Sequence, residues 1–311
     1  MSTWMPLIVH DTALVARDVR SFTLVEPSGV ALPEWTPGAH VDVRTSEGLV
    51  RQYSLCGDPA DRSSYRVAVL LEPASRGGSK AMHAVAAGDV VEVSAPRNNF
   101  PLADATSYVF VAGGIGITPL LPMIAEASRR GADWVLHYGG RDRDSMAFVG
   151  ELAAHGDRVR VLPQDEHGLL PLADIVAALG EGSALHSCGP EPMLAALESV
   201  FPASGPTLHL ERFKPRDDVD GPSDAFEVEL ASTGETVPVE AGESIVDALR
   251  KVGVSVQTSC REGTCATCET TVLGGEVDHR DSVLTPAERA AGDTMMLCVS
   301  RARSPRLVLD L

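Results

Sequence analysis

Of the six cysteines in this chain, four lie beyond residue 259, and their spacing constrains the fold more than any other feature. Cys260, Cys265 and Cys268 read Cys-x4-Cys-x2-Cys, and Cys298 follows after a gap of 29 residues. That is the ligand spacing of a 2Fe-2S cluster of the plant type. A small cluster needs a tight loop that offers three thiolates while its backbone N–H groups point at the sulfurs. Gly263 and the small residues Ser259, Thr264, Ala266 and Thr267 permit that close approach. Structural zinc also takes four cysteines, but it favours paired Cys-x2-Cys knuckles, and only one such pair exists here. Cys260, Cys265, Cys268 and Cys298 are therefore expected to be metal ligands, and the chemistry expected is one-electron transfer.

Charge narrows the partners. With 26 Lys plus Arg against 43 Asp plus Glu, the net charge of −17 repels phosphate backbones and anionic lipid. Nucleic acid and membrane are not expected as partners. The longest uncharged run, Ala105 to Ala125, is broken by Gly113-Gly114, Gly116, Pro119 and Pro122, and it reads as a buried strand entering a glycine turn. Met1–Pro6 has neither the basic start nor the apolar run of an export signal, so a cytoplasmic protein is expected. In that setting clustered cysteines bind metal rather than form disulfides.

The patterning divides the 311 residues into three modules and a linker. Residues 1–103 show short alternating strands at Leu14–Arg17, Ser21–Glu26, His40–Arg44, Leu49–Leu55, Tyr65–Glu72 and Asp89–Ser94. One helix is expected at Ser79–Val85, and the whole is the pattern of an antiparallel barrel. Residues 104–213 alternate buried strands (Tyr108–Ala112, Trp134–Tyr138, Val159–Leu162, Ala184–Cys188) with helices at Pro119–Arg130, Met146–Ala154, Pro171–Leu179 and Glu191–Val200. Such alternation predicts a parallel α/β sheet. Residues 214–224 are polar and rich in Pro and Gly, a linker. Residues 225–311 hold a hairpin (Phe226–Ala231, Glu235–Val239), a helix at Ser244–Val252 and the cysteine loop.

Two stretches outside the cysteines are suited to anions. Val109–Ala112 runs into Gly113-Gly114-Ile115-Gly116-Ile117-Thr118-Pro119, a strand, a glycine turn and a helix start, where bare N–H groups can hold a pyrophosphate. Cys188-Gly189-Pro190 ends another buried strand just before a helix, where α/β ligands sit, although Cys188 by itself reads equally as a small core residue. In the barrel, Arg51 suits phosphate, Tyr53 a flat ring and Ser54 a polar ring edge. Arg76-Gly77-Gly78-Ser79 precedes the barrel's helix, with Ser79 placed to cap it. A phosphate site in each module implies two nucleotides.

Together these motifs, with Pro96–Leu102 and the order of the modules, make the chain resemble the phthalate dioxygenase reductase and vanillate demethylase reductase family over essentially its full length; the loop Ser259–Cys265 is similar to that of plant-type ferredoxins. The resemblance implies an FMN-binding antiparallel β-barrel (1–103), an NAD-binding α/β domain (104–213) and an α+β plant-type ferredoxin domain of β-grasp form (225–311). It assigns Arg51, Tyr53 and Ser54 to FMN, the backbone of Ala68, Val69 and Leu70 to its ring edge, and Arg76, Gly77, Gly78 and Ser79 to its phosphate. It places Thr118 and Phe213 beside the flavin, and Gly113, Gly114, Gly116, Cys188, Gly189 and Pro190 around NADH. The activity implied is transfer of electrons from NADH through FMN and a 2Fe-2S cluster to a terminal oxygenase, of the Rieske non-haem iron type before a haem-thiolate monooxygenase. A monomer is expected. Arg141-Asp142-Arg143-Asp144, after the second α/β strand, carries both charges and leaves the ribose preference open. The region from Asp224 to Leu311 carries 15 acidic and 8 basic residues, a net of −7 that is either a solvated surface or a docking face for a basic partner.

Overall fold

The computed structural model describes residues 4–45, 48–73, 75, 77–215 and 223–311. It divides into two units, one ending at Glu211 and one running from Arg212 to Leu311.

The first unit opens with β1 (Trp4–Ala16), β2 (Val19–Val25), β3 (His40–Arg44), β4 (Val50–Ser54), β5 (Ser64–Leu70), α1 (Gly78–Ala84) and β6 (Val90–Ser94). The strands pair antiparallel in the order β4-β3-β6-β1-β2-β5, and a bridge from Leu55 to Val67 joins the two ends of that order into a barrel. Leu7, Val9, Phe22, Leu24, Val41, Val43, Tyr65 and Val67 fill it. β1 begins at Trp4, well before the Leu14 expected from the pattern. Its register shifts between Val9 and Asp11 and again between Leu14 and Ala16, and each shift breaks the period-two alternation that makes a strand legible. The Pro96–Leu102 run has a mechanical task. Asn98 donates to the Thr36 hydroxyl at 2.7 Å and the Pro37 carbonyl at 2.9 Å, and Gly38 (φ +93°) leaves no room for a Cβ against the Phe100 carbonyl.

The same unit continues with β7 (Ser107–Gly113), α2 (Leu120–Arg129), β8 (Asp133–Gly140), α3 (Val149–Leu152), β9 (Val159–Pro163), α4 (Gln164–His167), α5 (Leu172–Ala177), β10 (Ser183–Cys188), α6 (Glu191–Val200) and β11 (Thr207–Glu211). All five strands are parallel, in the order β11-β10-β7-β8-β9. On β7, Tyr108, Phe110 and Ala112 join the core that includes Leu120, Met123 and Ile124 of α2, while Val111 packs with Ile175 and Leu197 from the helices of the other layer. The chain moves from β7 to β8 and β9, then returns to the other side of β7. The point of reversal, between β7 and β10, is where a ligand crevice forms in such sheets.

The helix expected at Met146–Ala154 is reduced to α3, followed by a 3-10 stretch over Ala153–Arg158. Met146, Ala147 and Phe148 are all buried, and Phe148 has a left-handed backbone (φ 62°), so this segment is held by the core and cannot begin a helix.

The second unit holds β12 (Phe226–Leu230), β13 (Thr236–Val239), α7 (Ile245–Lys251), β14 (Glu269–Gly274), β15 (Val277–Asp278), α8 (Pro286–Ala291), β16 (Thr294–Met296), β17 (Arg301–Ala302) and β18 (Arg306–Leu309). Its main sheet runs β13-β12-β18-β14-β16, with β12 and β18 parallel and the other pairs antiparallel. Ile245, Val246, Ala248 and Leu249 of α7 pack on this sheet. The Ser244 hydroxyl caps α7 by accepting from Asp247 N–H, and Thr285 with Glu288 forms a capping box on α8. This is the α+β architecture expected. Within the linker read from sequence, residues 216–222 lie outside the described residues.

Candidate functional site

The cysteine loop joins α7 to β14, and the fourth cysteine follows β16. Arg261 (φ 57°), Gly263 (φ 70°) and Ala266 (φ 55°) all take left-handed backbone, which coils the chain tightly. A Cβ on Gly263 would lie 2.6 Å from Val299 and 3.0 Å from the Asp281 Cα, so only glycine fits. The Glu262 and Thr264 N–H groups donate to Cys260 Sγ at 3.3 and 3.4 Å. Pairing of β14 with β16 brings in the last ligand, and Leu297 N–H bonds the Cys268 carbonyl.

The four thiols lie against one another in a continuous run, Cys265 on Cys260, Cys260 on Cys298 and Cys298 on Cys268. Hydrogen bonding from Cys265, then from Cys298, holds Cys260 well below the usual thiol range, and Cys298 does the same to Cys268. Cys265 and Cys298 are pushed up in return. Among the described residues no three His, Cys, Asp or Glu side chains surround one point as ligands of a single ion. Four cysteines gathered in one place, with backbone donors on a sulfur, fit a 2Fe-2S cluster.

In the first unit, Arg51 of β4 lies against the start of α1. A Cβ on Gly78 would fall 2.4 Å from Arg51 Cγ, and Gly77 (φ +95°) is the N-cap, so the helix starts beside Arg51 with no side-chain cap among the described residues. Arg76 lies outside the described residues. Ser79 does not cap the helix: it sits one residue inside, and its hydroxyl accepts from Glu72 N–H at 3.1 Å. Burial pushes the Tyr53 phenol up. Ala68, Val69 and Leu70 end β5.

At the sheet reversal, the glycines meet one another. A Cβ on Gly116 would lie 2.2 Å from the Cys188 carbonyl oxygen, one on Gly113 2.6 Å from Pro190, and one on Gly189 3.0 Å from Gly113. Their first task is to let the loops after β7 and β10 touch, which brings Gly113, Gly116, Cys188, Gly189 and Pro190 together; Gly114 takes φ 54° in the 3-10 turn Gly114–Ile117 that precedes α2. Thr118 is buried, with its hydroxyl donating to the Ile115 carbonyl at 3.0 Å. Phe213 belongs to the second unit and is 41% exposed.

One residue escaped the sequence reading. Glu211 ends β11 directly opposite Cys188 in the parallel register. Burial raises its carboxyl to about 8, against the downward pull of the Cys188 thiol and the Ser54 hydroxyl that face it. The thiol is itself driven up by burial and by Glu211. Glu211 Oε2 has no hydrogen-bond partner among the described residues. The signal was available in register: an acid on the closing strand, level with the cysteine. Ser54 comes from the barrel and Cys188 from the α/β sheet, so one carboxyl gathers both modules, and its unpartnered oxygen fits a bound ring that offers a donor.

Comparison with known proteins agrees with this geometry. A family model described as a 2Fe-2S iron-sulfur cluster binding domain matches residues 228–303. The chain is 46% identical to phenoxybenzoate dioxygenase subunit beta of Ectopseudomonas oleovorans over 309 residues, 98% of this chain and 97% of that one. Phthalate dioxygenase reductase, solved as a modular structure for electron transfer from pyridine nucleotides to [2Fe-2S], superposes with a TM-score of 0.70 at 36% identity, covering 99% of this chain and 98% of its own. The chain belongs to the phthalate dioxygenase reductase family. Like other members, it is an oxidoreductase with a 2Fe-2S ferredoxin domain behind flavin- and NAD-type domains. An intact self-sufficient cytochrome P450 monooxygenase also superposes, with a TM-score of 0.90 and 45% identity over 99% of this chain; the chain spans 41% of that protein. No helix among the described residues is long and apolar enough to cross a membrane.

Proposed function

We propose that this chain is the reductase component of an oxygenase system, carrying electrons from NADH through FMN and its 2Fe-2S cluster to a terminal oxygenase. The observation that carries the reading is the meeting of Ser54, Cys188 and Glu211, because it makes one buried site out of a barrel strand and two sheet strands. When bound, the flavin accepts two electrons at once and the cluster passes them on singly.

The chain's own residues bind and orient. Arg51 and the backbone of Gly77, Gly78 and Ser79 hold the FMN phosphate, with Arg76 from the same motif; Tyr53, Ser54 and the backbone of Ala68–Leu70 frame the ring. Gly113, Gly114, Gly116, Gly189 and Pro190 form the floor on which the coenzyme lies, and Thr118 completes the flavin site. Glu211 holds a proton on its carboxyl at neutral pH, and Cys188 stays a neutral thiol in the same closed space. Cys260, Cys265, Cys268 and Cys298 hold the cluster. In domain terms, the barrel is 1–103, the NAD domain 104–213, the linker 214–224 and the ferredoxin domain 225–311, working as a cytoplasmic monomer.

The partner is a Rieske non-haem iron oxygenase, a reading supported by the phenoxybenzoate and phthalate dioxygenase relatives. The likeness to the P450 fusion favours a haem-thiolate monooxygenase as the second reading. Anaerobic titration of the purified holoprotein with NADH tests the route. Bleaching of both the flavin and the iron–sulfur bands is expected. Protein purified and reconstituted with no flavin or cluster absorption would refute it.

A further inference from the structure

The segment from β15 through α8 runs behind the cysteine loop and encloses three ionisable side chains outside the cysteine set. Asp281 is 0% exposed, the His279 side chain 8% and that of Arg289 25%. Enclosing an ionisable group is costly unless partners or bonds offset it. Three in one place therefore call for a physical reason.

The segment is fastened to the loop at its tightest point. Ser282 N–H donates to the Gly263 carbonyl at 2.8 Å, and the missing Cβ of Gly263 is what lets the Asp281 Cα come close. On either side of that glycine, the Glu262 and Thr264 N–H groups donate to Cys260 Sγ. The peptides that serve the sulfur and the backbone of Asp281 thus touch through one residue. The Asp281 carboxylate is itself held in place, since Oδ1 accepts from Val283 N–H at 2.9 Å and from Leu284 N–H at 2.7 Å.

Two groups face that carboxylate. Arg289, in the last turn of α8, donates from Nη2 to the Asp281 carbonyl at 2.6 Å and lies 3.9 Å from Oδ1. His279 Nδ1 lies 3.8 Å from Oδ2, and neither ring nitrogen nor Oδ2 has a hydrogen-bond partner among the described residues. Burial pushes the His279 ring below the usual imidazole range, so it is neutral at pH 7 and adds no charge. Two opposite charges remain, and they differ in reach. Asp281 is wholly enclosed, where water screens it little, while a quarter of the Arg289 side chain meets solvent. The carboxylate dominates the field behind the loop.

We propose that the Asp281–Arg289 pair, set against Gly263, tunes the electron affinity of the 2Fe-2S cluster, Asp281 holding it low and Arg289 moderating that effect. The inference rests on the reading of Cys260, Cys265, Cys268 and Cys298 as the ligands. Reduction adds one negative charge at the cysteines, so a fixed anion behind the loop opposes it and a fixed cation favours it. Net charge near the cluster is one of the levers that set such potentials. A low electron affinity makes the reduced cluster a stronger donor to the next carrier.

The test is an anaerobic redox titration of the holoprotein, read by the paramagnetic resonance signal of the reduced cluster, on the parent, Asp281→Asn and Arg289→Gln. Asparagine keeps an oxygen for the Val283 and Leu284 N–H groups and removes the charge. Asp281→Asn is expected to raise the equilibrium constant for cluster reduction about tenfold, or ~59 mV for one electron, and Arg289→Gln to lower it severalfold. A segment that only propped the loop would shift both variants in the same direction. Potentials unchanged in both, or moved the same way, overturn the proposal. Should Asp281→Asn assemble no cluster, Arg289→Gln carries the sign by itself, and an unchanged or raised potential in it overturns the proposal. A parent holoprotein without iron–sulfur absorption overturns the ligand assignment, a different and recognisable failure.

Discussion

Glu211 shows how much a single residue depends on its surroundings. The same carboxyl in an exposed loop is ionised at neutral pH; buried at the end of β11, it keeps its proton up to about pH 8. The folded state therefore binds a proton that the unfolded chain releases from about pH 4.5. Its contribution to stability is fully present below that pH and is lost as the pH climbs toward 8, at up to about 1.4 kcal/mol per pH unit. Glu211→Gln should flatten this loss. Thermal unfolding of parent and variant between pH 5 and 8 checks it, and parallel Tm curves would show that the carboxyl is ionised throughout. Nothing in the residue's own neighbourhood in sequence announced this, since Leu210 and Arg212 say nothing of Cys188.

At the scale of elements, the strands most regular in sequence were the most legible. His40–Arg44 and Glu191–Val200 stand where the pattern puts them, and the buried strands β7, β8 and β10 lie within a residue or two of expectation. β1 was hidden by its bulges and the Met146–Phe148 segment by its burial, because each obeys tertiary contacts in place of a local period. The glycine turn was legible as a turn between strand and helix but not in its mechanics. Gly116 sits against the Cys188 carbonyl, and a methyl group there must drive the β7 and β10 loops apart. Gly116→Ala should lower NADH-driven flavin reduction by at least tenfold, while the 2Fe-2S absorption of the second unit stays intact. Stopped-flow reduction and the visible spectrum read both; reduction at the parent rate would mean that the loops need not touch.

At the scale of the molecule, most of the expected site residues fall in one unit or the other. Arg51, Ser54, Gly116, Cys188 and Glu211 are in the first, and the four cysteines expected to hold the cluster are in the second. Cys268→Ser should thus abolish the iron–sulfur absorption yet retain NADH-dependent reduction of ferricyanide within about twofold of the parent, given that sites without shared partners act nearly independently. Loss of both signals would tie flavin binding to the cluster domain. The acidic balance of the second unit belongs to this scale too. Glu269, exposed beside Cys268, is a candidate contact for a basic oxygenase. Glu269→Gln should slow transfer to the partner severalfold at low ionic strength and converge with the parent in high salt, where screening shortens to a few ångströms. Equal rates at every ionic strength would leave the surface merely solvated.

The sequence by itself determined the 2Fe-2S ferredoxin chemistry and the order of antiparallel barrel, parallel sheet and cysteine-bearing domain. Those features rest on spacing along the chain, which local physics makes visible: a loop that must present three thiolates, a strand that must alternate, a turn that only glycine can make. What needed the tertiary structure were the relations between distant residues. Ser54 and Cys188 meet at Glu211, the glycines of two loops press on one another, and Arg17 neutralises Asp142 across 125 positions of sequence. Proton affinity and the pairing of charges depend on burial and on partners, and both come into existence only when the strands take their places.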